Sequence, residues 1–277
     1  MNREKIISVF GGTGFIGSRF NELFEDKCNL IERNSKDASE SEILYLISTT
    51  DNYNVFSDLK IDIETNLSVM MEVLEKLKEK DFVFNFISSW FVYGDTKLPA
   101  KESYQCKPKG FYSITKYTAE QLLISFCKTF KKKYRILRLC NVYGLNDKNV
   151  SKKKNALQYL ISQLKNNENI SLYDGGLFYR DYLYVDDVCK AIEICLNKGP
   201  YNSIINIGSG NKYLFRDIID IAKIELNSQS NIYSIEPPDF HKFVQVKNFY
   251  MDVTKLKSFG FKQNYSIKEG IKLLCQT

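Results

Sequence analysis

The opening of the chain constrains everything after it. Ile6-Ile7-Ser8-Val9-Phe10 is a β-branched and aromatic run that stops at Gly11-Gly12-Thr13-Gly14. Phe15, Ile16, Phe20 and Leu23 then recur at helical spacing. The pattern predicts a strand, a tight turn and a helix. Gly11, Gly14 and Gly17 stand three residues apart, and each has its own task. Gly11 lets the chain leave the strand in a conformation that a Cβ opposes. Gly14 lets backbone approach a pyrophosphate, and Gly17 lets the helix pack closely on the strand. The free N–H groups and positive dipole end of that helix then face phosphate. A glycine-rich turn alone is also a plain connector. Here a strand precedes it, and an acidic residue, Glu32, closes the next apolar segment, Cys28 to Ile31. That context predicts a dinucleotide site.

The 277 residues suffice for a sizeable core, and 44% hydrophobic with 26% charged residues is an ordinary globular balance. No apolar run approaches the ~18 residues that a membrane span needs. The chain begins almost directly on a strand, leaving no room for a signal peptide, so a cytoplasmic setting with no membrane partner is expected. Seven cysteines without a C-x-x-C pair read as buried, reduced thiols. With one histidine, His241, a His-based zinc site or catalytic triad has little to draw on, and no metal is expected. The net charge is +6, with short basic runs at Lys131–Lys133 and Lys152–Lys154. Without interleaved aromatics these runs read as solvated surface rather than a nucleic-acid interface. The excess charge suits a small anionic substrate.

Strand and helix patterns alternate through the first half. Ile43 to Ile47 and Phe82 to Ile87 are continuous apolar runs, as parallel strands buried on both faces should be. The first ends in Ser48-Thr49-Thr50 and the second in Ser88-Ser89. Polar residues at the carboxyl ends of parallel strands are where doubly wound sheets hold ligands. Leu67 to Leu77 and Ile114 to Phe126 read as helices, and Tyr134 to Leu139 as a strand ending at Cys140-Asn141. The expected class is α/β, a doubly wound parallel sheet with a second, smaller part. Strand Tyr182 to Val185, helix Asp186 to Leu196 and strand Ile204 to Ile207 read as a return to the sheet. The expected division is therefore 1–145 with 182–209 for the dinucleotide, and 146–181 with 210–277 for the substrate.

Tyr112 and Lys116 are four apart at the start of a helix, hence on one face. A free phenol has a pKa of about 10 and is a poor acid–base group at neutral pH without a neighbouring cation. Lys116 is such a cation, and Ser89 can hold a substrate oxygen beside the Tyr112 hydroxyl. Tyr-x-x-x-Lys is common by chance in a chain with 18 Tyr. Its weight comes from following the strand that ends in Ser89, in a chain that already has a dinucleotide turn.

The ordered set of motifs resembles an extended short-chain dehydrogenase/reductase of the NAD-dependent epimerase/dehydratase group, which acts on nucleotide sugars. The set runs Gly11-Gly12-Thr13-Gly14-Phe15-Ile16-Gly17, Asn66, Ser88-Ser89-Trp90-Phe91-Val92-Tyr93-Gly94 and Tyr112-Ser113-Ile114-Thr115-Lys116. Asn141-Val142-Tyr143-Gly144, Arg180-Asp181, Val185-Asp186-Asp187, Asn206 to Gly210 and Phe259-Gly260-Phe261 follow in family order. The resemblance implies a Rossmann sheet and catalysis by Ser89, Tyr112 and Lys116. It implies a dinucleotide, NADP or NAD, held by Gly11, Thr13, Gly14, Phe15, Ile16, Gly17, Glu32, Arg33, Ser48, Asn66, Tyr112 and Lys116. A nucleotide-diphosphate sugar would meet Ser89, Trp90, Phe91, Asn141 and Arg180. His241, Lys242 and Lys247 could meet phosphates, but surface charge is the favoured reading. A homodimer through the helices at Leu67–Leu77 and Ala119–Phe130 is also implied.

Departures from the pattern narrow the chemistry. Where dehydrating relatives carry an acid pair, decarboxylating ones a Glu and 3,5-epimerising ones a Cys, this chain has Trp90 and Phe91. A phenyl ring has no proton to move. What remains is hydride and proton transfer at one carbon. Arg33, suited to a 2′-phosphate, and the short substrate part favour 4-keto reduction. Glu32, suited to a free 2′-hydroxyl, points to NAD. The alternatives are 4-epimerisation with tightly held NAD, and a dinucleotide-binding sensor without catalysis.

Overall fold

The computed structural model describes residues 5–50, 52–147 and 155–276, so the basic run at Lys152–Lys154 lies outside the described residues. The expected doubly wound sheet is present. Strands β1 (Ile7–Phe10), β2 (Cys28–Leu30), β3 (Glu42–Tyr45), β4 (Val83–Ser89) and β5 (Lys133–Leu139) are all parallel. A later strand, β10 (Ser203–Ile207), pairs in parallel with β5, giving the order β10-β5-β4-β3-β1-β2. Side chains alternate between two cores, as a sheet covered on both faces requires. Ile7, Val9 and Leu44 join one apolar cluster, and Phe10, Ile43 and Tyr45 the other.

Helix α1 (Phe15–Leu23) follows the glycine turn. A second helical stretch runs as α2 (Ile61–Ile63), a π-helical turn (Glu64–Ser68) and α3 (Val69–Leu77). Helix α4 (Phe111–Thr129) lies between β4 and β5 in sequence, and its Ala119 and Leu123 share the second core with Met70 and Val73 of α3. The first half of a doubly wound fold has three strands on one side of the switch point. Here the chain leaves β2 and goes directly to β3 on the far side of β1. The polar stretch from Arg33 to Glu40 forms no strand, and three-residue β2 is left as an open edge.

The smaller part is built from paired pieces. Strand β6 (Asn141–Tyr143) leads towards α5 (Ala156–Lys165), β7 (Ile170–Tyr173), β8 (Tyr179–Arg180) and β9 (Tyr182–Tyr184). Helix α6 (Val185–Lys198) returns to the main sheet at β10. The tail carries β11 (Tyr213–Leu214), α7 (Phe215–Glu225), β12 (Ile232–Ile235), α8 (Asp239–Val244), α9 (Thr254–Ser258) and α10 (Ile267–Gln276). Strand β9 pairs with β6, β8 with β11, and β7 with β12.

This corrects the expectation that Tyr182 to Val185 rejoins the main sheet: only α6 and β10 do so. The reason is the buried Asp181 carboxylate one residue earlier. It accepts from Ser209 N at 2.9 Å and Ser209 Oγ at 2.7 Å, and from Gly210 N and Met251 N, both at 3.2 Å. Those bonds pin the start of β9 across the end of β10, and β9 pairs with β6 rather than along the β10 edge. Burial raises the Asp181 pKa against the pull of these donors. The next two acids have comparable tasks. Asp186 accepts from Arg19 Nε and Nη2, at 2.7 and 2.8 Å, joining α6 to α1. Asp187 accepts from Asn264 N and Tyr265 N and holds the C-terminal segment.

One ion pair crosses the second core. Glu120 of α4 is fully buried, and Arg138 of β5 grips it with Nε at 3.0 Å and Nη2 at 2.6 Å. Ser88 Oγ of β4 donates to the same carboxylate at 2.5 Å. Removing one partner of such a pair strands the other charge, at a cost of about 3–5 kcal/mol. Glu120→Leu should therefore lower the urea midpoint by that equivalent, and Glu120→Leu with Arg138→Met should recover most of it. Independent, additive losses in the double variant would contradict this arrangement.

Candidate active site

A cleft of about 850 Å³ opens at the carboxyl ends of the strands, between the sheet and the smaller part. One end is the glycine turn. Gly11 sits at φ +80°, a left-handed conformation that L side chains avoid. Gly14 N donates to Gly11 O at 3.1 Å, which closes the turn. A Cβ on Gly17 would lie 2.3 Å from Gly11 O, so only glycine allows α1 this close to the turn. No side chain caps α1, whose first residues Phe15, Ile16 and Gly17 line the cleft with Gly11 and Gly14. Uncapped backbone donors beside a space kept free of Cβ atoms fit the pyrophosphate of a dinucleotide.

The floor comes from β4 and α4. Helix α4 starts at Gly110, whose N–H bonds Ser113 Oγ at 2.9 Å, and that cap sets where the first turn begins. Tyr112 and Lys116, one turn apart, both line the cleft. Lys116 Nζ donates to Ile87 O at 2.6 Å and stands 4.1 Å from the centre of the Phe86 ring. Burial lowers the Lys116 pKa to about 7, with Glu120 one turn further along the helix opposing the shift. Ser89, at the end of β4, lines the floor and accepts from Phe91 N at 3.3 Å. Phe91 stacks on Trp90 at 4.0 Å and meets the Tyr112 ring edge-on at 6.0 Å.

The far wall belongs to the smaller part. Arg180 lines the cleft, and among the described residues no carboxylate pairs with it. Its Nη1 donates to Tyr179 O at 2.9 Å and Lys247 O at 2.6 Å, while its guanidinium lies over Phe178 and Trp90 at 4.6 and 5.4 Å. Burial lowers its pKa to about 10, so it stays cationic at neutral pH. Asn141 also lines the cleft, its Nδ2 tied to Asp181 O at 3.0 Å.

Several expected site residues stand elsewhere. Asn66, expected to hold cofactor, does not line the cleft. Its Oδ1 accepts from Ser48 Oγ and Thr49 N, and its Nδ2 donates to Thr49 Oγ1 and Thr115 Oγ1, at 2.8–3.0 Å. The π-helical turn aims this side chain inwards, where it fastens the Ser48–Thr49 strand end to α4. Ser48 lines the cleft from that strand end. Thr13, Glu32 and Arg33 are exposed and outside the lining, because the chain beyond β2 forms no further strand to enclose them.

His241 corrects its reading as surface charge. It lines the cleft, its Nδ1 is 3.0 Å from Tyr53 Oη, and its ring lies 4.6 Å from that of Tyr173. Burial, then Arg180, lowers its pKa to about 4, so it is neutral at pH 7. Phe240 beside it packs on Tyr53 and Phe56 at 5.3 and 4.6 Å. Helix α8 is thereby clasped to the 3₁₀ turn Asn52–Phe56. No sequence spacing signals a contact between residues 188 apart. Lys242 is exposed and pairs with Glu236 and Asp239, and Lys247 is exposed.

The pattern that defines the NAD dependent epimerase/dehydratase family matches residues 41–208. The chain belongs to that family. The chain is similar to a putative UDP-glucose 4-epimerase from Methanocaldococcus jannaschii, 26% identical over 96% of both chains. A UDP-glucose 4-epimerase from Thermotoga maritima, solved with UDP-glucose, superposes with a TM-score of 0.87 at 24% identity, covering 98% of this chain and 97% of that one. A UDP-glucuronic acid 4-epimerase from Bacillus cereus, solved with UDP-glucuronic acid and NAD, superposes at 0.85 with 19% identity over 98% of each chain. The family match begins at residue 41, after the glycine turn and the region of the absent strand.

Lys116 gives this epimerase/dehydratase member a testable pH signature. Its folded pKa of about 7 lies below the unfolded value of 10.5. Between those values the unfolded chain binds more protons, so this residue's effect on stability becomes more favourable as pH rises through that window. Wild type should gain in Tm relative to Lys116→Met between pH 7 and pH 10, while the variant loses turnover by about 10²–10⁴. A Tm difference that is constant with pH would show that Lys116 is not desolvated.

Proposed function

We propose that this chain is a nucleotide-diphospho-sugar 4-epimerase that uses NAD. The observation that carries the reading is the floor of the cleft. Ser89, Tyr112 and Lys116 line it, while the position beside them carries Phe91. The adjacent ring adds no second acid–base group, which leaves chemistry at one carbon. Relatives of matching length include a putative and a solved UDP-glucose 4-epimerase, whereas the case for reduction leaned on Arg33, which is exposed and outside the cleft. Glu32, next to it, is equally exposed and outside the cleft, so neither residue separates NAD from NADP.

NAD bound there would supply the hydride acceptor and donor for C4. Gly11, Gly14 and the first turn of α1 would hold its pyrophosphate. Tyr112 Oη takes the proton of the C4 hydroxyl and gives it back. Ser89 Oγ holds O4 beside that phenol. The Lys116 ammonium lowers the proton affinity of Tyr112 electrostatically. Arg180, cationic and without a carboxylate partner among the described residues, pairs with the sugar's diphosphate, while Asn141 and Trp90 border the sugar. Reduction of a 4-keto nucleotide sugar by NADPH is a second reading that uses the same residues. It is favoured by the bulk of Trp90 and Phe91, which restricts a sugar that must turn over.

The two readings differ in what the protein retains. Denaturing the purified protein should release about one NAD per chain, and UDP-glucose should equilibrate with UDP-galactose, or a related 4-epimer pair interconvert, without added cofactor. No bound dinucleotide, with NADPH consumed stoichiometrically against a 4-keto sugar, would favour the reductase instead.

We also propose a homodimer through the outer face of α4 and the neighbouring α3, in a cytoplasmic setting consistent with the free cysteines. Phe111, Ile114 and Leu122 are exposed on α4, and no helix of the described residues is long and apolar enough to cross a membrane. Light scattering should give twice the chain mass, and Ile114→Lys should reduce it to one. A monomeric wild type would contradict the dimer.

A further inference from the structure

The half of the sheet that would hold the adenosine end of a dinucleotide is short, and what replaces it is fixed in place. A doubly wound fold builds each mononucleotide half from three strands and their crossover helices. Here residues 31–41 make the whole return from β2 to β3, without the helix that such crossovers usually carry. The return is tied down along its length. Lys36 Nζ pairs with Glu72 of α3 at 3.1 Å, Lys80 Nζ donates to Ala38 O at 3.0 Å, and Ala38 is buried in the second core. Asn29 Nδ2 of β2 donates to Ser39 Oγ at 2.9 Å, and Glu40 N to Ser8 Oγ of β1 at 3.3 Å. Leu30, the last residue of β2, leans over the glycine turn, so that a Cβ on Gly12 would fall 2.6 Å from its Cδ2. The cleft runs from Gly11 and Gly14 towards the smaller part. On the other side of β1 in the sheet, Glu32, Arg33 and Asn34 stand exposed after β2.

The two ends of a dinucleotide then meet different surroundings, on the dinucleotide reading that epimerase and reductase share and on which this inference rests. The nicotinamide end enters the cleft with Tyr112 and Lys116. The adenosine ribose reaches the residues that end β2. A buried polar group that reads a ligand rejects an analogue strongly, because the analogue leaves it unpaired. Glu32 is already in water and loses no partner when the 2′-hydroxyl is changed. It repels a 2′-phosphate, Arg33 beside it attracts one, and both act through solvent, where such effects are weak and screened. The adenine has no wall, since β2 is the last strand of the sheet at that edge.

We propose that the dinucleotide site recognises its cofactor by the pyrophosphate and nicotinamide half alone. It takes adenosine ends with or without a 2′-phosphate, and with adenine or another purine, alike. Glu32 and Arg33 are an offsetting pair rather than a selector. The half that the cleft encloses carries the retention, and supply decides which dinucleotide is carried.

The test uses the purified protein with whatever dinucleotide it retains. It is dialysed to equilibrium against an equimolar excess of NAD, NADP and nicotinamide hypoxanthine dinucleotide, with isotope-labelled NAD marking complete exchange. The bound shares are read by chromatography after denaturation. All three should be bound within about fivefold of one another, the span of an exposed charge interaction. Glu32→Gln should move the NADP-to-NAD ratio up and Arg33→Gln should move it down, each by less than about fivefold. A wild-type preference beyond that range, for NAD, for NADP, or for adenine over hypoxanthine, would overturn the proposal while leaving the dinucleotide reading standing. A larger move in either variant, or both moves in one direction, would overturn the offsetting pair. Binding of none of the three would remove the dinucleotide reading and this inference with it.

Discussion

The buried Glu120 carboxylate is the constraint on which the site depends. It lies one turn along α4 from Lys116, and takes bonds from Arg138 on β5 and from Ser88, which immediately precedes Ser89 on β4. One carboxylate thus sets the register between the helix that carries the phenol and ammonium and the strand end that carries the serine. Charge buried so deeply contributes little net stability compared with apolar packing. What it provides is a single allowed alignment, because sliding α4 along the sheet would leave Arg138 and Glu120 uncompensated. The same logic recurs at Asp181, whose four donors join β9, the end of β10 and the tail segment at Met251.

The cleft is electropositive for structural reasons. The uncapped start of α1, Lys116 and Arg180 all face it, and the cations lose water there without gaining a carboxylate ion pair among the described residues. Burial lowers both pKa values, and an anionic ligand would offset that penalty. A dinucleotide and a nucleotide diphosphate each carry such charge. His241, by contrast, is held neutral, and its bond to Tyr53 serves to clasp α8 over the rim.

Much of this was legible in the sequence, and what was missed has a common cause. The glycine turn, the buried strands and the Tyr112–Lys116 pair are local patterns, set by spacing within one or two elements. Asn66 was legible as a motif position but not in role, because a π-helical turn redirects its side chain behind the strand end. Strand Tyr182–Tyr184 read correctly as a strand and wrongly as part of the main sheet, since its partner is set by Asp181 reaching residues 28 to 70 positions away. The Tyr53–His241 clasp joins two otherwise unremarkable segments. The missing strand after β2 was visible only as a polar stretch, and it is why Glu32 and Arg33 stand in the open.

The central claim is that Tyr112 moves the proton at C4, and its phenolic hydroxyl is the group to remove. Turnover of Tyr112→Phe should be measured on an interconverted nucleotide sugar, with bound dinucleotide and Tm followed in the same preparations. The account predicts a loss of about 10²–10⁴ in kcat with dinucleotide and stability retained. Near wild-type turnover in that variant would contradict it.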